Sequence, residues 1–202
     1  TETAVEAALG VFRATCERGE PWGCVNAGKA YQIGAGTPVD PNEARNRYQA
    51  ACDAELPAGC GALGLAQHLG VGGAKDATAA LQHYQGACTQ GYLPACENLV
   101  ALFEEGLTSI QEAPRIPLLR DGCASGSAAA CGHLGDLLYA VDPDAALAAH
   151  QTACDAKLAR GCRGVGVRKL ATGDTAAALP LLQGACDVGE AKACEVWGGI
   201  LA

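Results

Sequence analysis

The stretch from Ala44 to Gly64, ARNRYQAACDAELPAGCGALG, decides the fold. Ala44, Tyr48, Ala51 and Cys52 recur at i, i+4, i+7 and i+8, which places them on one face of a helix. Pro57 stands shortly before Cys60, where its fixed φ and missing N–H suit the first turn of a second helix. Leu63 and Gly64 follow three and four residues after Cys60. The stretch therefore reads as two helices joined by a tight turn, with one cysteine on each side of it.

Working outward, the twelve cysteines fall into six pairs with seven residues between the members: Cys16/Cys24, Cys52/Cys60, Cys88/Cys96, Cys123/Cys131, Cys154/Cys162 and Cys186/Cys194. Gly19, Gly91, Gly126 and Gly189 sit three after the first cysteine, and Pro21, Pro57 and Pro94 just before the second. A glycine that ends one helix and a proline that opens the next mark a helix-to-helix turn. Two cysteines flanking such a turn can face each other at disulfide distance. The expected pairing is therefore local, i to i+8, although twelve cysteines allow many other connectivities and buried free thiols are the alternative. Closing one nine-residue loop removes roughly 2.5 kcal/mol of unfolded-state entropy in the chain-entropy model, so six bridges could supply on the order of 10 kcal/mol after strain is discounted. Strict pairing and an even count predict an oxidising compartment. The spacing matches neither the close ligand pairs of zinc sites nor the C-x-x-C of thioredoxin-like centres.

The first cysteines recur every 31 to 36 residues, the period of a helix-turn-helix solenoid. The segment Ala80, Tyr84, Ala87, Cys88 repeats the first half of the pattern, as does Ala178, Leu182, Ala185, Cys186. Ala27-Gly28, Leu134-Gly135, Val165-Gly166 and Trp197-Gly198 repeat the second half, while Leu99-Val100 lacks the glycine. Helices are expected near 4–18, 21–34, 41–54, 57–70, 75–90, 93–105, 110–125, 128–140, 143–157, 159–171, 174–188 and 191–201, with Asp40-Pro41 and Asp142-Pro143 as helix starts.

The pattern D-x3-A-x3-Y-x2-A-C-x7-C-x2-L-G, with connections such as Gly34-Ala35-Gly36 and Gly70-Val71-Gly72-Gly73, resembles the Sel1-like repeat, a relative of the tetratricopeptide repeat. The cysteine placement is similar to that of the family's cysteine-rich secreted bacterial branch. The resemblance implies an all-α superhelical solenoid of six disulfide-stapled hairpins, one domain over 1–202 with repeats near 4–34, 41–70, 75–105, 110–140, 143–171 and 174–201. It also implies a concave face that binds a protein or peptide. Through the tetratricopeptide pattern, the exposed groove positions would be Asn26, Lys29 and Gln32, then His68, then Glu97, Asn98 and Glu104, then His133, Asp136 and Tyr139, then Arg163 and Glu195. Asn26 and Asn98 are the preferred contacts, because an Asn side chain can hold a peptide backbone as donor and acceptor. Glu97, Glu104 and Asp136 would favour a partner with a basic segment.

Composition sets further bounds. Fourteen basic against 22 acidic residues give a net charge of -8, which disfavours nucleic acid. No run approaches the ~18 apolar residues of a membrane span. The chain is expected to be a soluble monomer of the periplasm or exterior, its signal peptide or lipoprotein leader removed. No cofactor and no metal are expected. Two alternatives come with the resemblance: a β-lactam-binding protein with weak β-lactamase activity, and a redox or metallocofactor assembly factor. Against the first, Ser109, Ser125 and Ser127 have no Lys three residues on, and His68, His83, His133 and His150 stand singly. For the second, Cys154/Cys162 encloses Lys157 and Arg160, the most basic of the six turns, though one shared geometry argues for a structural role.

Overall fold

The computed structural model describes residues 2–106 and 112–201. Among these there are twelve helices and no strand. The chain forms two compact units, Thr1–Ser109 and Ile110–Ala202. The first holds the hairpins α1 (Glu2–Glu17) and α2 (Pro21–Ile33), α3 (Pro41–Asp53) and α4 (Pro57–Leu69), and α5 (Ala77–Thr89) and α6 (Leu93–Glu104). The second holds α7 (Glu112–Ala124) and α8 (Ala128–Leu138), α9 (Pro143–Asp155) and α10 (Ala159–Ala171), and α11 (Thr175–Asp187) and α12 (Ala191–Leu201). These bounds fall within about two residues of the sequence expectation.

Local chemistry starts and stops the helices where the sequence places its signals. Asp40, Asp76, Asp142 and Asp174 cap α3, α5, α9 and α11, each carboxylate accepting a backbone N–H of the first turn. Lys169 donates to Asp174, which with the bond from the Ala177 N–H lowers that carboxyl below the ordinary range. Ser127 caps α8 in the same way, accepting from the Ala130 N–H. Three residues after each first cysteine the backbone is left-handed in all six turns: Gly19, Gly91, Gly126 and Gly189, but also Glu55 (φ 58) and Lys157 (φ 63). The turn geometry is thus fixed by the hairpin rather than by glycine.

Six disulfides close at i to i+8: Cys16–Cys24, Cys52–Cys60, Cys88–Cys96, Cys123–Cys131, Cys154–Cys162 and Cys186–Cys194, with Cα–Cα distances of 4.4–4.8 Å. The approach is 4.4–4.5 Å where Gly23, Gly59 or Gly161 precedes the second cysteine, and 4.6–4.8 Å where Ala95, Ala130 or Ala193 does. A Cβ at Gly59 would come within 2.5 Å of the Ala51 Cβ, so the glycine permits the closer crossing.

The second cysteines are not equivalent in their surroundings. Cys60, Cys162 and Cys194 are half-buried, whereas Cys24, Cys96 and Cys131 are buried. Cys24 packs with Cys16, Val25 and Ala51 in one apolar cluster, so its sulfur belongs to the seam between the first two hairpins. Cys131 stands beside buried Ala130 and Gly132 at the start of α8. Cys24 and Cys131 are therefore core residues as well as bridge partners, enclosed by the apolar packing of the first turn.

Stacking within each unit uses one repeated contact. The residue four before a first cysteine lies over the glycine four after the preceding second cysteine: Tyr48 over Gly28, Tyr84 over Gly64, His150 over Gly135, Leu182 over Gly166. A Cβ at Gly64 would sit 2.9 Å from the Tyr84 ring, so only a bare backbone admits the side chain. Around these contacts Ala44, Ala51, Ala80, Ala87, Ala146, Ala153, Ala178 and Ala185 are buried. Small residues bring the helices close, and a few large side chains fill the gaps they leave.

Candidate functional site

In the first unit the even-numbered helices α2, α4 and α6 contribute to one cavity of about 180 Å³. Lys29 and Gln32 come from α2, Leu65 and Ala66 from α4, and Asn98 from α6, with Tyr92 and Pro94 at the rim. Three of the expected groove residues are therefore brought together. The floor is ordered by Tyr48, whose hydroxyl donates to Gln32 Oε1 at 2.6 Å; burial pushes this phenol up to about 12.

The corresponding pair one repeat later is Tyr84 and His68. His68 is buried, which corrects its expected place on the open groove. Its Nε2 lies 3.0 Å from Glu105 Oε2 and its Nδ1 3.3 Å from the Tyr84 hydroxyl, with the two rings edge to face. Burial and then the Glu105 charge raise the Tyr84 phenol above its ordinary range. His83 Nδ1 meets Gln67 Oε1 at 2.8 Å on the same helix pair. These polar side chains serve the stacking of repeats, because each buried group finds its partner on the neighbouring helix.

In the second unit a cavity of about 260 Å³ is lined by Asp136, Tyr139, His150, Arg163, Val167 and Lys192. Again three expected groove residues, Asp136, Tyr139 and Arg163, meet. Asp136 accepts from His150 Nε2 at 3.0 Å, from Arg160 Nη1 at 3.2 Å and from Arg163 Nη2 at 2.8 and 2.9 Å. Arg163 Nε donates to Glu190 Oε1 at 3.2 Å, and Glu190 Oε2 accepts the Ala193 N–H. Burial pushes the Asp136 carboxyl up, but the His150 hydrogen bond and the charge and hydrogen bond of Arg163 outweigh it and hold the group at about 2. The carboxylate is thus an acceptor at neutral pH, facing the His150 Nε2. Arg160 and Arg163 neutralise Asp136, so it does not offer the free negative charge that the sequence suggests; this corrects the expectation of an acidic contact there.

The remaining expected positions join neither cavity. Asn26 is half-buried on α2, Glu97 and Glu104 are exposed on α6, Glu195 is exposed on α12, and His133 lies 3.5 Å from Arg160. A larger depression of about 620 Å³, between Val5 and Glu6 of α1 and the loop 34–38, contains none of them. His150 escaped the sequence reading of the groove. Its signal was present, since Ala146, His150, Ala153 and Cys154 reproduce the A-x3-Y-x2-A-C register with a polar residue where the core takes Tyr or Leu.

The residues considered for chemistry have structural engagements. Ser125 donates to the Asp121 carbonyl and Ser127 caps α8, while Ser109 lies outside the described residues. Among the described residues no three His, Cys, Asp or Glu are grouped to hold a metal ion, and no helix is long and apolar enough to cross a membrane. Every cysteine is bonded, Cys154 and Cys162 to each other.

No protein-family model and no curated protein matches the sequence. Solved structures do match. A protective antigen present in uropathogenic Escherichia coli strains, displaying an SLR fold, aligns over 97% of this chain with a TM-score of 0.76 and 20% identity. This chain spans 44% of that protein's length. A Sel1 repeat protein from Oxalobacter formigenes aligns over 91% of this chain and 77% of its own, with a TM-score of 0.70 and 20% identity. Six disulfide-closed hairpins of repeating register, stacked within each unit by the glycine of one hairpin under the Tyr, His or Leu of the next, thus give this chain the Sel1-like repeat fold.

Proposed function

We propose that the protein is a non-enzymatic, extracytoplasmic scaffold that binds an extended protein or peptide segment along its even-numbered helices. The single observation behind this reading is the convergence of Lys29, Gln32 and Asn98, from two different hairpins, on one cavity floored by α4. A stack of short repeats presents such side chains at regular intervals, which suits an extended ligand rather than a small substrate. The ligand's backbone would be held by the Asn98 and Gln32 amides, and an acidic or polar side chain would meet Lys29. Six closed disulfides support an oxidising compartment, the periplasm or the exterior. The whole of 1–202 is read as one repeat array.

The test is selection of binders from a displayed peptide library, followed by titration calorimetry with the wild type and with Asn98→Ala and Lys29→Ala. The selected peptides should lose about tenfold or more in affinity with at least one variant, while thermal stability stays unchanged. Selected peptides that bind both variants as tightly as the wild type would place the binding surface elsewhere.

A further inference from the structure

The charges around the cavity of the second unit do not cancel. Asp136 and Glu190 supply two carboxylates, while Arg160, Arg163 and Lys192 supply three cations. One positive charge is left over, in a chain whose net charge is -8. The repeat register puts it there. Arg160 stands two residues before Cys162 and reaches back to Asp136, five after Cys131. Lys192 stands two before Cys194, and the residue five after Cys162 is Val167. Both line the cavity, so the lysine at the register of Arg160 has an apolar residue where Arg160 has an acid.

Three groups of the lining keep donors that the protein does not use. Among the described residues Lys192 makes no hydrogen bond or ion pair, and the Tyr139 hydroxyl makes none either. Both side chains are exposed and free to turn toward a ligand. Arg163 gives Nε to Glu190 and Nη2 to Asp136, but its Nη1 donates to no protein acceptor, although the side chain is only 13% exposed. A largely buried guanidinium is costly to leave half-used. The two carboxylates meanwhile fix its orientation.

A single surplus charge suits a monoanion. A phosphate dianion would bring a second negative charge toward Asp136 and Glu190, whereas a carboxylate matches the planar N–H edge of a guanidinium. At about 260 Å³ the space is smaller than the roughly 300–1,000 Å³ of pockets that take whole small molecules, and it suits one side chain or chain end.

We propose that this cavity binds a carboxylate, held by Arg163 Nη1, Lys192 Nζ and the Tyr139 hydroxyl, with its aliphatic stem against Val167. The carboxylate comes from an acidic side chain or the C-terminus of a bound segment, and for that source the proposal rests on the scaffold reading above. The second unit then selects acidic ligands, the reverse of the basic preference that Asp136 suggests in the sequence.

The test is NMR titration of the isotope-labelled full chain with three blocked amino acids. N-acetyl-glutamate N-methylamide offers only a side-chain carboxylate, its glutamine counterpart offers none, and N-acetyl-alanine offers only a terminal one. At least one of the two carboxylates should shift the Tyr139, Val167 and Lys192 amides saturably, with a Kd of about 1–10 mM. Whichever saturates identifies the source, and the glutamine compound should not saturate. Lys192→Glu should weaken binding by about tenfold or more, whereas Lys75→Glu, the same charge change at an exposed position of the first unit, should leave it within about twofold. Both lysines are exposed, so both variants should fold. No saturable shift from either carboxylate, an equal response to the glutamine compound, or binding that survives Lys192→Glu overturns the proposal. Such a failure leaves the peptide selection with Asn98→Ala and Lys29→Ala unaffected, because those residues line the other cavity.

Discussion

His150 occupies the space that a side chain would need on Gly135: a Cβ built there overlaps the imidazole ring. The ring is 2% exposed, and its Nε2 is tied to Asp136. It therefore cannot retreat without breaking a buried hydrogen bond. Gly135→Ala should cost about 1–3 kcal/mol in urea unfolding, as overpacked cores do. Gly10→Ala, on an exposed part of α1 with nothing within 4 Å, should instead gain up to about 1 kcal/mol.

Stability should fall in acid through Asp136. Its carboxyl is held at about 2 in the fold, against 3.8 as an ordinary group, so the folded state prefers the charged form. The contribution is present above about pH 4 and is lost as pH falls through about 2, below which both states are protonated. It amounts to roughly 2 kcal/mol at most, less whatever solvent screening removes from a partly exposed group. Urea midpoints measured across this range should show the step, and Asp136→Asn should remove it. The same substitution should lower stability at neutral pH by about 1–3 kcal/mol, because Arg160 and Arg163 lose their counter-charge.

Two of the six turns hold a side chain in the left-handed region, Glu55 at φ 58 and Lys157 at φ 63. That conformation costs a non-glycine residue roughly 1–2 kcal/mol, and glycine returns part of it as unfolded-chain entropy. Glu55→Gly and Lys157→Gly should each raise stability by about 0.5–1 kcal/mol in thermal unfolding. Gly91→Ala, at φ 83, should lower it by a similar amount.

The disulfides should reduce in an order set by access. Cys88 and Cys96 are 1% and 0% exposed, whereas both cysteines are half-buried in the Cys52–Cys60, Cys154–Cys162 and Cys186–Cys194 pairs. Cys16–Cys24 and Cys123–Cys131 fall between, with Cys24 and Cys131 buried and Cys123 half-buried. A thiolate must reach a sulfur to attack it. Partial reduction, alkylation and mass spectrometry should find the three half-buried pairs opened first and Cys88–Cys96 last. Loss of Cys88–Cys96 before the others would mean that hairpin α5–α6 opens locally ahead of the rest.

Helix positions and cysteine pairing were legible because both depend on short-range signals: Asp caps, Pro at first turns, and a fixed spacing across a turn. The burial of Cys24 and Cys131 was not, since the spacing that pairs them is the same in the half-buried bridges. The linings of the cavities were only half legible. Lys29, Gln32 and Asn98 share a cavity, as register alone suggests. His68 does not open on it, because the Tyr84 hydroxyl and Glu105 draw its ring into the stack. Asp136 reads as a free acid until Arg160 and Arg163, from the next repeat, are placed on it in space. Such long-range pairings carry no periodic mark, although a histidine at the Tyr register was a visible irregularity.

Every bridge joins cysteines eight residues apart and lies inside a single hairpin. A chain emerging from its N-terminus into an oxidising space therefore meets each partner before the next pair appears. Oxidation in order of emergence yields the native connectivity, and no bond has to wait for the C-terminal half. Twelve cysteines, which would otherwise invite scrambling, become six independent closures whose fidelity follows from the direction of delivery.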